Sequence, residues 1–255
     1  MTDRRKFLAR AGAGVAALAL GGCTDLSQKK WVTGILSEVE ILTRRAQRLF
    51  AGSHALAPEY TKADIAPVFR ANGTLDPDTP SYNAHAANGF RDWRITVGGA
   101  VRRPLSLSMA ELRAMPSRAQ ITRHDCVEGW SCIGQWTGTP LALVLAAAHP
   151  TENARYVVFT CADNMAQPGY PAQYYYESLD LVEATHPQTI LAYSLNGQAL
   201  PIRYGAPVRL RAERQLGYKM AKYIQRIELV PGFGAIAGGK GGYWEDQGYT
   251  WYAGI

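Results

Sequence analysis

The sequence predicts an α+β fold in which mixed or predominantly antiparallel sheets are combined with short helices. Strand-like and helix-like segments follow one another without regular alternation, which argues against a repeated strand-helix-strand unit. Residues 190–195 and 198–202 are separated by Asn196-Gly197, the strongest hairpin signal in the chain, because these two residues tolerate the positive φ angles of a type I′ turn. No internal repeat is visible, so we expect one folded domain.

The composition is that of a globular protein. The chain has 255 residues, of which 47% are hydrophobic and 19% charged, and it is long enough to bury a core without disulfides. The formal net charge is +6, but four basic residues and one acidic residue among the first 22 account for +3 of it. The remaining +3 is too small to predict nucleic-acid binding, so we expect no nucleic-acid partner.

Residues 1–22 are predicted to be an export signal. Arg4-Arg5 precedes a small, apolar stretch that is shorter than the roughly 20 residues a membrane span needs. The segment resembles a twin-arginine signal, and residues 20–23 (LGGC) resemble a lipobox in which Cys23 becomes the acylated N-terminus. We therefore expect a periplasmic, lipid-anchored protein. The alternative is an uncleaved N-terminal anchor with an incidental cysteine.

A linker with one amphipathic helix is predicted for residues 23–65, and the folded domain for residues 66–255. Apolar residues recur at helical spacing over residues 31–50, which predicts a helix that packs against the domain or lies on the membrane surface. Residues 51–80 are rich in Gly, Pro, Asn and Asp and predict a long irregular segment.

The remaining helices are predicted from their capping residues. Ser108 and Glu111 form a capping box for a helix that ends before Pro116. Thr139-Pro140 is expected to open a second helix that continues to residue 148, and residues 180–184 form a third. The predicted strands are residues 94–97, 156–160, 190–195, 198–202, 207–211 and 223–230.

The Gly-rich tail, residues 238–255, is aromatic. We expect its rings to belong to the core, with a cover over the functional site or a docking face as the alternative. The aromatic residues are Tyr243, Trp244, Tyr249, Trp251 and Tyr252.

The cysteines suggest where chemistry takes place. With Cys23 assigned to lipid, Cys126, Cys132 and Cys161 remain, an odd number, so at least one is a free thiol or a ligand. None lies in a Cys-x-x-Cys-His motif, and the histidines show no zinc-binding spacing. Cys126 is the candidate because polar residues surround it in an apolar neighbourhood. It could ligate a transition metal, act as a nucleophile activated by His124, or be structural.

Four segments resemble a known family. They are residues 123–131 (RHDCVEGWS), 195–198 (LNGQ), 204–210 (YGAPVRL) and 217–224 (GYKMAKYI). They look like the molybdopterin domain of the sulfite oxidase superfamily, and in particular its bacterial periplasmic branch of protein-methionine-sulfoxide reductase catalytic subunits. The resemblance extends from about residue 66 to residue 230. It implies a sulfite-oxidase-type molybdopterin-binding fold and an oxidoreductase that depends on the molybdenum cofactor.

The resemblance also implies roles for individual residues. Cys126 matches the single protein ligand of molybdenum, where a thiolate complements the sulfurs of the pterin. Arg209 and Lys222 match cations that hold the phosphate and pterin of the cofactor. Tyr175 resembles the active-site tyrosine. The other implied cofactor contacts are Asn72, Met220, Ala221, Cys161 and Tyr204. Of these, Cys161 stands where the family usually has Thr, and Tyr204 stands where it usually has Asn or His.

The expected direction of the reaction follows from departures from the family. Sulfite oxidases capture their anion with arginines, whereas this sequence has Ala71 and Glu128 at such positions. An anionic substrate would therefore meet the carboxylate of Glu128, unless the side chain of Arg70 or Arg123 turns into the site. Because Arg123 could do so, we treat it as a candidate catalytic residue. We expect a reductase of S-oxides or N-oxides.

The chain carries no haem-binding motif, so its electron partner is expected to be a haem-containing membrane subunit or a cytochrome. Three alternatives stay open. One is a sulfite-oxidising enzyme of the same superfamily, the second is a hydrolase with Cys126 as nucleophile, and the third is a non-enzymatic lipoprotein.

Overall fold

The computed structural model describes residues 30–50, 52 and 54–255, with side chains from residue 39 onward. The chain divides after Phe50 into two units. The first contributes helix α1 (Lys30–Phe50), which confirms the predicted amphipathic helix. The predicted export signal and Cys23 lie outside the described residues. Within those residues, no helix combines the length and apolarity that a membrane crossing requires.

The second unit, Ala51–Ile255, contains the sheets and the remaining helices. Its strands are β1 (Arg94–Gly99), β2 (Leu105–Ser108), β3 (Arg118–Asp125), β4 (Ser131–Pro140), β5 (Tyr156–Asn164), β6 (Tyr174–Asp180), β7 (Ile190–Leu195), β8 (Gln198–Ala199), β9 (Arg209–Arg211) and β10 (Ile224–Val230). Its α-helices are α2 (Pro80–Ala87), α3 (Met109–Ala114), α4 (Leu141–Ala148), α5 (Leu181–Ala184) and α6 (Tyr243–Asp246). Short 3-10 helices lie at Lys62–Asp64, Ile202–Tyr204 and Gly217–Lys219.

The strands form two five-stranded sheets. The first has the order β2-β1-β10-β5-β6, and the second has the order β3-β4-β7-β8, with β9 also paired to β7. β1 and β10 run parallel and the other strand pairs run antiparallel, so the first sheet is mixed. The predicted α+β class, with mixed sheets and short helices, is confirmed.

Local signals account for several boundaries. The capping box of α3 is present, because the Ser108 hydroxyl accepts from the Glu111 amide at 3.1 Å and the Glu111 carboxylate accepts from the Ser108 amide at 2.7 Å. Asn196 and Gly197 have φ angles of 51° and 78° and join β7 to β8, as predicted. The second strand of this hairpin is shorter than expected and ends at Ala199.

The predicted start of the second helix is wrong. β4 continues through Thr139 to Pro140, which pairs with Ile190 of β7, so both residues are extended. The Thr139 hydroxyl donates to the Leu112 carbonyl at 2.7 Å and does not cap a helix. Sheet pairing therefore outweighs the local capping signal, and α4 begins one residue later than predicted.

Two apolar clusters hold the unit together. The larger packs α3 and α4 against the first sheet and buries Trp93, Leu145 and Phe159. The smaller one lies on the second sheet around Phe69 and Trp136. Side chains of this size each remove a large apolar surface from water, which stabilises the two sheets. The sheets therefore form a rigid scaffold for the polar residues at the ends of their strands.

Candidate functional site

A cavity of about 170 Å³ lies where β3, β5 and β6 approach the Gly217–Lys219 turn and the C-terminal tail. This is many times the volume that one water molecule needs, so the cavity can hold a ligand. Its lining residues are Asn72, Gly73, Thr74, Cys126, Val127, Glu128, Asp163, Met165, Tyr175, Arg209, Gly217, Tyr218, Met220, Lys222, Trp244 and Tyr249.

A tight turn after β3 presents the thiol of Cys126 to the cavity. The Gly129 amide donates to the Cys126 carbonyl at 3.0 Å, and the Cys126 amide donates to the Trp130 carbonyl at 2.9 Å. Gly129 has a φ of 86°, which suits glycine at the end of such a turn. Cys126 is 7% exposed, and the Asn72 side-chain amide lies 3.5 Å from its sulfur. The turn and the separate segment that carries Asn72 therefore place one thiol and one amide donor side by side.

Arg209 places a buried guanidinium at the cavity wall. Its nitrogens donate to the carbonyls of Tyr204 at 3.0 Å and Met220 at 3.2 Å. Burial lowers the pKa of Arg209 to about 9, with repulsion from Arg211 adding to the effect. In the described part of the chain, no carboxylate lies within ion-pair distance of Arg209. A guanidinium in this position lacks a compensating anion.

Lys222 adds a second cation to the same wall. Its ammonium donates to the carbonyls of Asn72 at 2.8 Å and of Thr74. Burial and, to a smaller extent, repulsion from Arg209 lower the pKa of Lys222 to about 7. Gly205 separates the two cations: a Cβ there would lie 2.9 Å from the Lys222 side chain and 3.1 Å from that of Arg209. Only glycine lets the two cations converge.

These residues fit the molybdenum cofactor. Two cations at one wall, neither of them in an ion pair among the described residues, suit a phosphate, although the Asp163 carboxylate also acts on Lys222. A buried thiol beside an amide donor suits a soft metal. No cluster of three or more His, Cys, Asp or Glu side chains that could hold a metal occurs among the described residues. A metal at Cys126 would therefore take most of its ligands from a bound cofactor, which is what a pterin dithiolene provides.

The structure brings six of the predicted site residues together at the cavity. They are Asn72, Cys126, Tyr175, Arg209, Met220 and Lys222. Tyr175 is 9% exposed, and its hydroxyl donates to the Tyr218 carbonyl at 2.6 Å. In this arrangement its proton is engaged by the protein backbone. The carbonyl of Met220 holds Arg209 in place.

Three other predicted cofactor contacts lie behind the lining. Tyr204 holds Arg209 through its carbonyl, and its hydroxyl donates to the Phe69 carbonyl at 2.7 Å. Cys161 is fully buried in β5, where burial raises the pKa of its thiol well above the usual value. The Ala221 carbonyl accepts from the Leu210 amide at 2.7 Å. These residues support the cavity wall from behind.

Arg123 lies away from this cavity. It is exposed, forms an ion pair with Asp125 at 2.9 Å, and lines a different pocket together with Tyr60 and Arg214. Successive residues of a strand point to opposite faces, which directs Arg123 and the neighbouring His124 to opposite sides of β3. We therefore leave Arg123 out of the site proposed below.

The geometry does not support His124 as a base for Cys126. Arg211 donates to Nδ1 of His124 at 2.9 Å, which leaves the proton of the neutral ring on Nε2. Burial lowers the pKa of His124 well below its usual value, and Arg211 adds to this. Nε2 faces Gly217, where a Cβ would lie only 2.4 Å away. No hydrogen bond joins His124 to Cys126 among the residues described.

Several lining residues were not predicted. Asp163 is 3% exposed, and burial raises its pKa to about 6. Its place at the end of an apolar strand is a signal that could have identified it. Tyr218 lies within residues 217–224, one of the segments that resemble the family, whereas no sequence pattern around Thr74 or Met165 predicts a role in the site. Trp244 and Tyr249 show that the aromatic tail contributes to the cavity as well as to the core.

Comparison with known proteins identifies the class. The family described as "Oxidoreductase molybdopterin binding domain" matches residues 82–232, which include Cys126, Tyr175, Arg209 and Lys222. The chain belongs to this family, and the predicted membership of the sulfite oxidase superfamily, with its fold, is confirmed. The protein is a molybdopterin-dependent oxidoreductase, and its cofactor is the molybdenum cofactor.

The more particular similarities are to reductases. The chain is 37% identical over 251 residues to the "Putative protein-methionine-sulfoxide reductase subunit YedZ1" of Azospira oryzae, covering 98% of this chain and 87% of the relative. It is 32% identical over 253 residues to the protein-methionine-sulfoxide reductase catalytic subunit MsrP of Ralstonia nicotianae, covering 89% and 69%. Among solved structures, the sulfane dehydrogenase SoxCD of Paracoccus pantotrophus aligns with a TM-score of 0.48 at 19% identity, over 55% of this chain and 39% of that one.

The depressed pKa of Lys222 predicts how the cofactor-free protein responds to pH. Between about 7 and its usual value of 10.5, Lys222 is neutral in the folded protein and charged in the unfolded chain. At Lys222 the unfolded chain then binds more protons, so this residue makes the free energy of unfolding rise with pH, whereas the raised pKa of the buried Cys161 thiol acts in the opposite direction. In urea unfolding of cofactor-free protein, the slope of the free energy of unfolding against pH should be less positive in Lys222→Met than in wild type. The exposed Lys62→Met is the control, and equal slopes in wild type and Lys222→Met would contradict the assignment.

Proposed function

We propose that this protein reduces S-oxides, free or protein-bound, or N-oxides, with electrons from a haem-containing partner. The observation that carries the proposal is the charge distribution of the cavity. Buried cations lie at the wall formed by Arg209 and Lys222, while the exposed side beyond Cys126 carries Glu128. The relatives named as protein-methionine-sulfoxide reductases support the same direction.

Four residues of the cavity have defined roles in this proposal. Cys126 would hold the metal as thiolate, and the Asn72 amide would fix the orientation of that sulfur. Arg209 and Lys222 would hold the phosphate, each oriented by backbone carbonyls. When bound, the cofactor supplies the two-electron redox centre. Overall, an S-oxide, two electrons and two protons give a thioether and water.

The neighbourhood of Glu128 disfavours an anionic substrate. The Glu128 carboxylate accepts from the Trp130 indole at 2.8 Å, and the Arg70 guanidinium stacks 4.7 Å from the centre of the same indole. Arg123 is paired with Asp125. Arg123 is therefore not placed to neutralise a sulfite ion beside Glu128, and Arg70 is held against the Trp130 ring and has no ion-pair partner among the described residues. A like charge beside Glu128 is costly where the pocket is partly desolvated. A neutral S-oxide avoids that cost.

Steady-state assays of molybdenum-loaded protein in both directions test this proposal. We expect reduction of methionine sulfoxide or an N-oxide by a reduced viologen dye. We expect sulfite to support little reduction of ferricyanide or cytochrome c. Sulfite-dependent activity without S-oxide reduction would instead favour the oxidase alternative.

We also propose that the protein is exported by the twin-arginine route and anchored in the periplasm through an acylated Cys23. The sequence motifs at Arg4-Arg5 and residues 20–23 support this. Replacing both arginines with lysine should leave precursor in the cytoplasm, as fractionation would show. Mass spectrometry of the membrane fraction should find lipid on Cys23. An unmodified Cys23 within a longer N-terminus would contradict the anchor.

A further inference from the structure

The C-terminal tail, residues 238–255, supplies part of the cavity wall. Trp244 and Tyr249 line the cavity, and Tyr218 lies beside them. The Trp244 and Tyr249 rings are stacked with centroids 5.3 Å apart, and the Tyr218 and Tyr249 rings meet edge to face at 5.2 Å. We call these three residues the aromatic wall.

Exposure places the Tyr249 end of the aromatic wall at the mouth of the cavity, whereas Tyr218 is only 8% exposed and Trp244 is half-buried. Tyr249 is 39% exposed, and Val127, next to the predicted metal ligand, is 48% exposed. Arg209, by contrast, is 2% exposed. The phosphate-binding end is therefore deep, and the side from which a substrate approaches Cys126 is the one that carries the aromatic rings.

A buried ionic cluster holds the tail in position. The Lys219 ammonium contacts the carboxylates of both Glu177 in β6 and Glu245 in α6. All three side chains are at most 1% exposed. The Tyr176 hydroxyl also donates to the Asp246 carboxylate at 2.6 Å. Glu245 directly follows Trp244, so these contacts fix the ring at the cavity.

We propose that the aromatic wall determines substrate choice by binding the apolar substituents of the oxide. This inference rests on the proposed reductase function. Aromatic faces bind apolar groups and attract partial positive charge, such as that on the sulfur of an S-oxide, whereas a strongly hydrated anion gains nothing from them. The wall and Glu128 thus act on the same choice from two sides of the mouth.

The test compares two sulfoxides with holoenzyme. Wild type should reduce methyl phenyl sulfoxide with a higher kcat/KM than dimethyl sulfoxide. Trp244→Ala and Tyr249→Ala should each lower that preference about tenfold, mainly through KM for the larger substrate. Trp244→Phe, which keeps an aromatic face, should retain most of the preference. Tyr170→Ala, an exposed tyrosine outside the cavity lining, is the control.

A second measurement separates this inference from the proposed function. Methyl phenyl sulfide, the thioether product, is titrated into oxidised holoenzyme without an electron donor, and molybdopterin content is measured in parallel. Weaker binding in Trp244→Ala at unchanged cofactor content supports the aromatic wall even if wild type reduces no sulfoxide. Unchanged sulfide binding and unchanged preference in both alanine variants would overturn it. Cofactor loss in both variants would also overturn it, because the rings would then contact the cofactor.

Discussion

Cys126→Ser is expected to abolish turnover while leaving the protein folded. Serine nearly matches cysteine in volume and can keep the turn, whose two hydrogen bonds involve the backbone of Cys126. A hydroxyl, however, is a poor replacement for a thiolate as ligand of a soft metal. Molybdenum content should fall or its environment change, whereas the pterin should be retained in part, because Arg209 and Lys222 remain. Elemental analysis, pterin fluorescence and steady-state kinetics on one preparation measure all three.

Cys132→Ser is the matched control. Cys132 has the same exposed fraction as Cys126, 7%, and lies in the same β3–β4 hairpin, but outside the cavity lining. It should keep its molybdenum and its activity. Cys161→Ser is expected to be intermediate, since Cys161 lies two residues before the cavity-lining Asp163 on the same strand, β5. Equal molybdenum content and activity in wild type and Cys126→Ser would remove Cys126 from the site.

Arg209→Met is expected to yield mostly cofactor-free protein. Loss of a charge-assisted hydrogen bond costs about 1.5 to 3 kcal/mol, which corresponds to roughly 10- to 150-fold weaker retention of the cofactor. Methionine fills much of the space of the arginine stem, so the wall should not collapse. No ion-pair partner of Arg209 is left behind in the described structure, but the carbonyls of Tyr204 and Met220 lose their donor. We therefore expect a folded protein with a lower free energy of unfolding.

Arg113→Met makes the same substitution outside the site. Arg113 lies over the Tyr193 ring at 5.6 Å and does not line the cavity. Pterin content per chain, with circular dichroism to confirm folding, compares the two variants. Full pterin loading in Arg209→Met would show that the phosphate is held elsewhere. A similar loss in Arg113→Met would mean that retention responds to surface charge in general.

The site was largely predictable because its central residues lie in short contiguous motifs. Cys126, Arg209 and Lys222 each occur in a segment whose local sequence is distinctive, and the structure brings all three to one cavity. Strands β3 and β4 were not predicted. β3 buries polar side chains, namely Gln120, Thr122 and His124, which hides the usual alternation of apolar and polar residues. Their partners, Glu213 and Arg211, lie about ninety residues further along the chain.

The role of the C-terminal tail in lining the cavity could also not be predicted from local sequence patterns. Its aromatic content was evident, but the position of Trp244 depends on Lys219, which is 26 residues from Glu245 and 42 from Glu177. Long-range pairing of buried charges leaves no periodic pattern in a sequence. For Arg123 the local motif was misleading. Its position three residues before Cys126 predicted a place in the site, whereas the alternation of side chains along β3 and the ion pair with Asp125 direct it to another pocket.

The most direct test of Cys126 as the metal ligand is X-ray absorption at the molybdenum edge of the loaded protein. It counts the sulfur atoms bound to the metal. We expect one more sulfur ligand in wild type than in Cys126→Ser, and the same number in wild type and Cys132→Ser. A sulfur count that is unchanged by Cys126→Ser, in protein that retains molybdenum, would contradict the assignment of Cys126 as the metal ligand.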